Sequence, residues 1–86
     1  MPKNVRSIVK KHGVSFNEAS TVFNDPLSVT FPDPDHSFGE DRYVIIGLSI
    51  ANRILLVPHT DRADRVRISS AQEANRHERR FYEDGE

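Results

Sequence analysis

Five arginines near the end of the sequence could together bind and stabilise a phosphodiester. Arg65 and Arg67 alternate with apolar residues, as on one face of a strand, and Arg76, Arg79 and Arg80 follow on a predicted helix. Guanidinium groups match phosphate oxygens bidentately and can stabilise the extra negative charge of a pentavalent transition state. Equally, the three later arginines could pair with glutamates along a solvated helix. The residue types alone leave both interpretations open.

The sequence also contains histidines at positions 12, 36, 59 and 77. RNA can be cleaved without a metal when one group takes the 2′-hydroxyl proton and another protonates the leaving 5′-oxygen, and imidazole titrates in the useful pH range. His59 ends the most apolar segment of the chain, where a side chain can enter a cleft while its backbone stays fixed. The alternative for His59 is a structural role, and His12 is equally explained by a position at a helix C-terminus.

An acidic segment between residues 33 and 41 could attract a hard cation. Its spacing matches neither an EF-hand nor a zinc motif, so we predict no metal and interpret the segment as an exposed loop. Glu40, close to Arg42, could act as a general base or as a salt-bridge partner. Tyr82 could stack on a base or fill the core at a helix end.

Length and composition indicate one small domain that spans residues 1–86. The chain is 36% hydrophobic and 29% charged, which is typical of a globular protein with a single core. The absence of cysteine excludes disulfides, thiolate metal sites and cysteine nucleophiles. The apolar runs are too short to span a membrane, and no signal-peptide core follows the first residues. We therefore expect a soluble cytoplasmic protein without membrane contact.

The net charge of −1 conceals a division along the chain. Residues 1–24 carry four basic side chains against one acidic, residues 25–41 carry five acidic and no basic ones, and residues 42–86 carry eight arginines against seven acids. Because local potential rather than total charge steers a ligand, a basic face could still bind a polyanion. Ordinary solvated charges explain the composition equally well.

A β-hairpin is the predicted centre of the fold. Residues 54–57 are apolar on both pleat faces, as in a strand that is covered on both sides. A turn over 61–64 leads to a second arm over 65–70, in which we expect Val66 and Ile68 to join the core and the intervening arginines to face outward. Strands over 27–31 and 42–49 complete an antiparallel sheet of about four strands.

Helices are predicted on both sides of this sheet in the sequence. Residues 4–11 have a short apolar stripe, and Ser15 with Glu18 forms a capping box for a second helix that ends at Asp25-Pro26. A similar box over 70–73 opens a last helix that runs to about residue 83. The prediction is an α+β fold of order ααββββα.

Several sequence blocks occur in an order that is characteristic of one protein family. They include Lys11-His-Gly-Val-Ser-Phe16, His59-Thr60, Arg65-Val-Arg-Ile-Ser-Ser-Ala71 and Arg76-His-Glu-Arg-Arg-Phe-Tyr-Glu83. Through these blocks, from about residue 7 to 83, the chain resembles the BrnT family. It departs from the family's pattern at the N-terminus, where Met1-Pro-Lys-Asn replaces a short strand, which leaves open a late start or a lost edge strand.

The resemblance implies a RelE-like fold and a bacterial type II toxin that cleaves RNA and halts translation. It implies as partner a BrnA-type ribbon-helix-helix antitoxin, expected in a 2:2 hetero-oligomer that contacts operator DNA only through the antitoxin. No cofactor is expected. The alternatives are a non-catalytic nucleic-acid-binding module and an inactive relic that only binds its antitoxin.

The resemblance, together with the chemistry of the side chains, also suggests roles for individual residues. The predicted catalytic residues are His59 as proton carrier, Glu40 as orienting group or base, and Arg67 and Arg80 as ligands of the scissile phosphate. The predicted RNA-binding residues are Lys11, Arg42, Arg65, Arg76, Arg79 and Tyr82. A shared cleft is the geometry that these assignments require.

Overall fold

A computed structural model describes residues 13–33, 41–62 and 65–84. They form α1 (Phe16–Thr21), a 3₁₀ turn (Val22–Asn24), β1 (Val29–Pro32), β2 (Arg42–Leu48), β3 (Ile54–Arg62), β4 (Arg65–Ile68), β5 (Gln72–Glu73) and α2 (Arg76–Asp84). The predicted α+β class and antiparallel sheet are confirmed. The predicted order with three helices is not matched, because the described residues contain two α-helices and the first predicted helix, over 4–11, lies outside them.

The central position of β3 is confirmed. β2 pairs with it over seven residues, β1 lies outside β2, and β4 pairs with its other edge. Leu55 and Val57 are fully buried on one face of β3, while Ile54 and Leu56 are half-buried on the other. The apolar run therefore forms a strand with cover on both sides, as its sequence predicts.

The tip of the hairpin differs from the prediction in two ways. β3 continues to Arg62, so that Asp61 belongs to the strand rather than to a turn. Val66 is 51% exposed, although Ile68 packs against the core as predicted. The reason is the strand register. β2 begins at Arg42, opposite Thr60 of β3, whereas Val66 pairs with Asp61, one residue further along β3. Val66 therefore lies beyond the end of β2, where the sheet is narrower.

The last helix begins later than predicted. Residues 72–73 form β5, which pairs with Leu55 and Leu56 of β3, and α2 begins at Arg76. β4 ends opposite His59, so it does not pair with the first residues of β3. β5 supplies backbone hydrogen-bond partners to that part of the β3 edge. A capping box is nevertheless present, between Asn75 and Glu78, whose side chains each accept a hydrogen bond from the other's backbone N–H at 2.8 and 2.9 Å.

The sheet has two faces with different cover. On the α1 face, Val14, Ala19 and Val22 pack with Leu55 and Val57 to form the core. The Ser15 hydroxyl accepts the Glu18 backbone N–H at 3.0 Å, as its capping role predicts, but the Glu18 side chain turns to Arg53 and Ser49 instead of completing the box. On the opposite α2 face, Phe81 meets Phe31 edge-on, with 5.7 Å between ring centroids.

Candidate nucleic-acid interface

Three neighbouring strands place two arginines and a threonine side by side on the α2 face. Arg42 of β2 lies opposite Thr60 of β3, and Thr60 lies opposite Arg67 of β4. Residues that are opposite one another in antiparallel strands share a face, and neighbouring strands lie about 4.8 Å apart, so the two arginine backbones are about 10 Å apart. We call Arg42, Thr60 and Arg67 the arginine row.

Among the described residues, one donor of the arginine row has no acceptor. Thr60 is buried between its neighbours, Arg67 is exposed, and Arg42 is half-buried. The Arg42 Nη2 donates a long hydrogen bond of 3.4 Å to Ser69 Oγ, and its Nε is buried with no acceptor among the described residues. Guanidinium groups keep their positive charge in proteins, and the register brings those of Arg42 and Arg67 to one face, so the row is suited to an incoming anion. Exposed Arg65 lies next to the row on β4, two residues from Arg67.

The later arginines of the sequence lie at the opposite end of the sheet. Arg53, Arg76, Arg79 and Arg80 line a groove of about 350 Å³ beside α2, together with Leu48, Asn52, Ile54, Glu73 and Glu83. We call it the α2 groove. The Leu48–Ile54 pair lies six residues along β3 from the Arg42–Thr60 pair, or about 20 Å at strand spacing. The five predicted arginines are therefore not brought into one cleft.

Arg53 in the α2 groove has a structural role. Its Nε and Nη2 donate to the Glu18 carboxylate, Nη2 also donates to the Gly13 carbonyl at 3.1 Å, and Glu73 lies 3.9 Å away. The hydrogen bonds from Arg53 lower the pKa of Glu18 despite its partial burial, with help from the Ser49 hydroxyl. Glu18 in turn raises the pKa of Arg53. This ion pair joins α1 to the β2–β3 turn.

His59 lies on the α1 face and is not brought to Arg67. It is buried, its Nδ1 is 3.0 Å from the Val57 carbonyl, and its ring contacts Phe23 edge-on and stacks on Tyr43. The proton-carrier role of His59 stays a prediction, and its surroundings are those of a core histidine.

A second histidine lies on the same face as the arginine row. His77 is exposed and lines a largely apolar cavity of about 330 Å³ with Phe31, Ile46, Glu78 and Phe81. The sequence offered no distinguishing signal for this position, because the face of a histidine on α2 depends on how the helix is docked.

Tyr82 fastens α2 to the end of β2. Its hydroxyl donates to Asp25 Oδ2 at 2.5 Å, and the same carboxylate accepts the backbone N–H groups of Leu27 and Leu48. Burial would raise the pKa of Asp25, but these three hydrogen bonds outweigh it and lower the pKa. Burial, followed by the bond to Asp25, raises the pKa of Tyr82 to about 12. The hydroxyl of Tyr82 is therefore committed to the protein.

Some predicted residues cannot be placed. Lys11, His12, His36 and Glu40 lie outside the described residues. In the described part of the chain, no three His, Asp or Glu side chains come together as a metal site would require. No described helix has the length and apolar character needed to cross a membrane.

Comparison with protein-family models gives a family for this chain. The family model for BrnT, described as the ribonuclease toxin of a type II toxin–antitoxin system, matches residues 2–78. The match includes the N-terminal stretch that departs from the family's usual pattern, the arginine row and His77. A search of individual curated proteins gives no match. The extent of the family match shows that the chain belongs to the BrnT family of ribonuclease toxins.

Proposed function

We propose that the chain is a metal-independent endoribonuclease that grips the scissile phosphate with the arginine row. The observation that carries the proposal is the strand register, which places the half-buried Arg42 and the exposed Arg67 on one face, on either side of the buried Thr60. A phosphate would accept hydrogen bonds from the guanidinium groups of both arginines. Exposed Arg65 would contact the neighbouring backbone phosphate.

The reaction is a transfer of the phosphodiester to the adjacent 2′-oxygen. The 2′-oxygen loses its proton and bonds to phosphorus, the bond from phosphorus to the 5′-oxygen breaks, and that oxygen takes up a proton. The products are a cyclic phosphate and a free 5′-hydroxyl. Arg42 and Arg67 stabilise the charge that develops on the phosphorane oxygens, which is the usual contribution of preorganised donors.

For proton transfer we favour His77 over the predicted His59. His77 is exposed and lines a cavity on the α2 face, whereas His59 is packed between aromatic rings on the other face. Phe31 and Phe81, which line the same cavity, are suited to stack on a base next to the cleavage site.

The cellular role follows from family membership. A ribonuclease toxin of this class acts on RNA, and we propose that its cleavage inhibits translation in the cytoplasm. A BrnA-type ribbon-helix-helix antitoxin would neutralise the chain and carry the contact with operator DNA.

Cleavage of a defined RNA by the purified chain, in the presence of excess EDTA, tests the proposal. Wild-type protein should give fragments with a terminal cyclic phosphate, Arg42→Ala/Arg67→Ala should give none at equal concentration, and His77→Gln should slow cleavage while RNA binding persists. Bound but intact RNA would indicate a non-catalytic binding module. The absence of both RNA binding and growth inhibition would indicate an inactive relic. If His59→Gln slowed cleavage with unchanged melting temperature and His77→Gln did not, the assignment of the proton carrier would be reversed.

A further inference from the structure

The end of the sheet away from the arginine row carries an apolar patch next to the α2 groove. We define the patch as Leu27, Leu48 and Ile50, which are 72%, 38% and 80% exposed. Leu48 joins the two features, because it lines both the α2 groove and a depression of about 290 Å³ that also includes Ile50. The groove and the patch therefore form one continuous surface.

Hydrogen bonds fix the backbone of the residues that form this patch. The Asp25 carboxylate accepts the backbone N–H groups of both Leu27 and Leu48, at 3.0 and 2.8 Å. The Ile50 N–H donates to the Thr21 hydroxyl at 2.9 Å, which ties the β2–β3 turn to α1. Large apolar side chains on an anchored surface are typical of a site that a partner covers.

The charges next to the patch favour an acidic partner. Among the described residues, no carboxylate lies within ion-pair distance of the exposed Arg76 or Arg79. Arg80 is weakly paired with Asp84 at 3.9 Å on the helix surface. Carboxylates of a partner could therefore pair with these guanidinium groups in a groove that the apolar side chain of Leu48 also lines.

An RNA backbone fits this surface less well than a protein segment does. Glu73 and Glu83 interrupt the arginines of the groove, so an unbroken run of phosphates would meet repulsion that a segment with spaced carboxylates can avoid. A phosphate backbone also offers nothing apolar to Leu48 or Ile50. An amphipathic helix, in contrast, can place carboxylates against Arg76 and Arg79 and aliphatic side chains against the patch.

We propose that the α2 groove and the apolar patch bind an acidic amphipathic segment of the antitoxin. The inference builds on the proposed function, because it places the antitoxin anchor about 20 Å along β3 from the arginine row that would bind the scissile phosphate. One surface holds the partner, and the other holds the substrate. Loss of either activity can therefore be obtained without loss of the other.

The test measures antitoxin affinity and RNA cleavage on the same variants, with the antitoxin that is co-encoded with this chain as the probe. Arg76→Glu/Arg79→Glu and, separately, Ile50→Asp should each weaken antitoxin binding about tenfold or more and leave cleavage within about twofold. The matched variant Arg76→Lys/Arg79→Lys should retain binding. Because these side chains are exposed, all variants should melt at the wild-type temperature, which circular dichroism checks.

Arg42→Ala/Arg67→Ala provides the converse arm, with cleavage lost and antitoxin affinity kept. If that variant cleaves RNA at close to the wild-type rate, the proposed RNA site is wrong and the antitoxin surface is unaffected. If the charge-reversal variant binds antitoxin like the wild type, the anchor is wrong. If it loses RNA binding instead, the α2 groove is part of the RNA interface and the proposal is overturned.

Discussion

The two ends of the β2–β3 pair both carry arginine, but the surroundings of the arginines differ. At one end, the Arg53 guanidinium donates hydrogen bonds to Glu18 and to the Gly13 carbonyl, and it joins α1 to the β2–β3 turn. At the other end, Arg42 keeps a buried donor that no described residue satisfies. Occupied donors therefore identify Arg53 as a structural arginine, which the number of arginines in the sequence does not.

The same contrast extends to the partners that each end can accept. The arginine row combines two guanidinium groups with the buried hydroxyl of Thr60 and a nearby serine, which suits a small, highly charged group such as a phosphate. The α2 groove mixes arginines with glutamates and an apolar rim, which suits a protein surface. A small domain can thus present two chemically different surfaces built on one pair of strands.

The largest predicted effect is on the rate of RNA cleavage, compared between arginine variants of the arginine row and of the α2 groove. Removal of both arginines of the row, in Arg42→Ala/Arg67→Ala, should lower the cleavage rate about a hundredfold or more, because charge stabilisation at the phosphorane is lost. Arg76→Ala/Arg79→Ala should change it by less than about threefold, since these residues lie at the far end of β3. Single-turnover rates on one RNA provide the comparison, and equal losses in both variants would abolish the distinction between the ends.

Gly47 offers a stability test of the α2-groove end. A Cβ at this position would lie 2.7 Å from Val22 Cγ1, 3.0 Å from Ser28 Cβ and 3.3 Å from the Asp25 carboxylate that holds Tyr82. Gly47→Ala should lower the free energy of unfolding by about 1–3 kcal/mol, as overpacking usually does.

The Gly47→Ala protein, measured well below its denaturation midpoint, should also bind antitoxin more weakly than the wild type, while the salt dependence of its RNA binding stays unchanged. The reason is that the shifted Asp25 carboxylate supports α2 and not the arginine row. Urea denaturation measures the free energy of unfolding of both proteins. A variant as stable as the wild type would show that the 3₁₀ turn moves freely away from β2.

Sequence alone predicted the main strands and the Ser15 cap but not which residues share a site. Apolar runs and alternation predicted β2 and β3, and Ser15 capped α1 as its sequence indicated. His59 and Arg67 were predicted to share a cleft, yet the register pairs Arg67 with Thr60 and leaves His59 on the other face. A shift of one residue reverses the face of every side chain in a strand, and local sequence does not fix that register.

The start of α2 illustrates the same limit. The pattern over 70–73 and the pattern at Asn75 to Glu78 are both acceptable capping boxes. The second one forms, because Leu55 and Leu56 need backbone partners that residues 72–73 supply. That requirement depends on where β4 ends, so it becomes visible only when the strands are paired.

Tyr82 gives a smaller effect with a defined pH dependence. Its pKa is raised from 10 to about 12, so the folded protein holds the phenol proton more tightly than the unfolded chain does. The resulting stability is fully present below pH 10 and is lost as the pH rises through about 12. Tyr82→Phe should lose roughly 1 kcal/mol at neutral pH, the worth of one hydrogen bond.

The difference between wild type and Tyr82→Phe should then shrink across that alkaline interval, as measured by denaturation at several pH values. Tyr43→Phe is the matched control, since its ring packs on His59 and not on Asp25. A constant difference at every pH would mean that the bond from Tyr82 to Asp25 does not contribute to stability.

The smallest predicted effect is a change in the salt dependence of RNA binding, and it separates the two ends without catalysis. RNA with methylated 2′-hydroxyls cannot be cleaved, because its nucleophile is blocked, so equilibrium affinity can be measured directly. Each arginine removed from the row should reduce the slope of log affinity against log salt by about 0.7, since one fewer counterion is released from the single strand. Arg76→Ala/Arg79→Ala should leave the slope unchanged, because the α2 groove makes no phosphate contact in this scheme. A reduced slope in that variant would place the RNA backbone in the groove, and the two ends of the β2–β3 pair would then form one nucleic-acid surface.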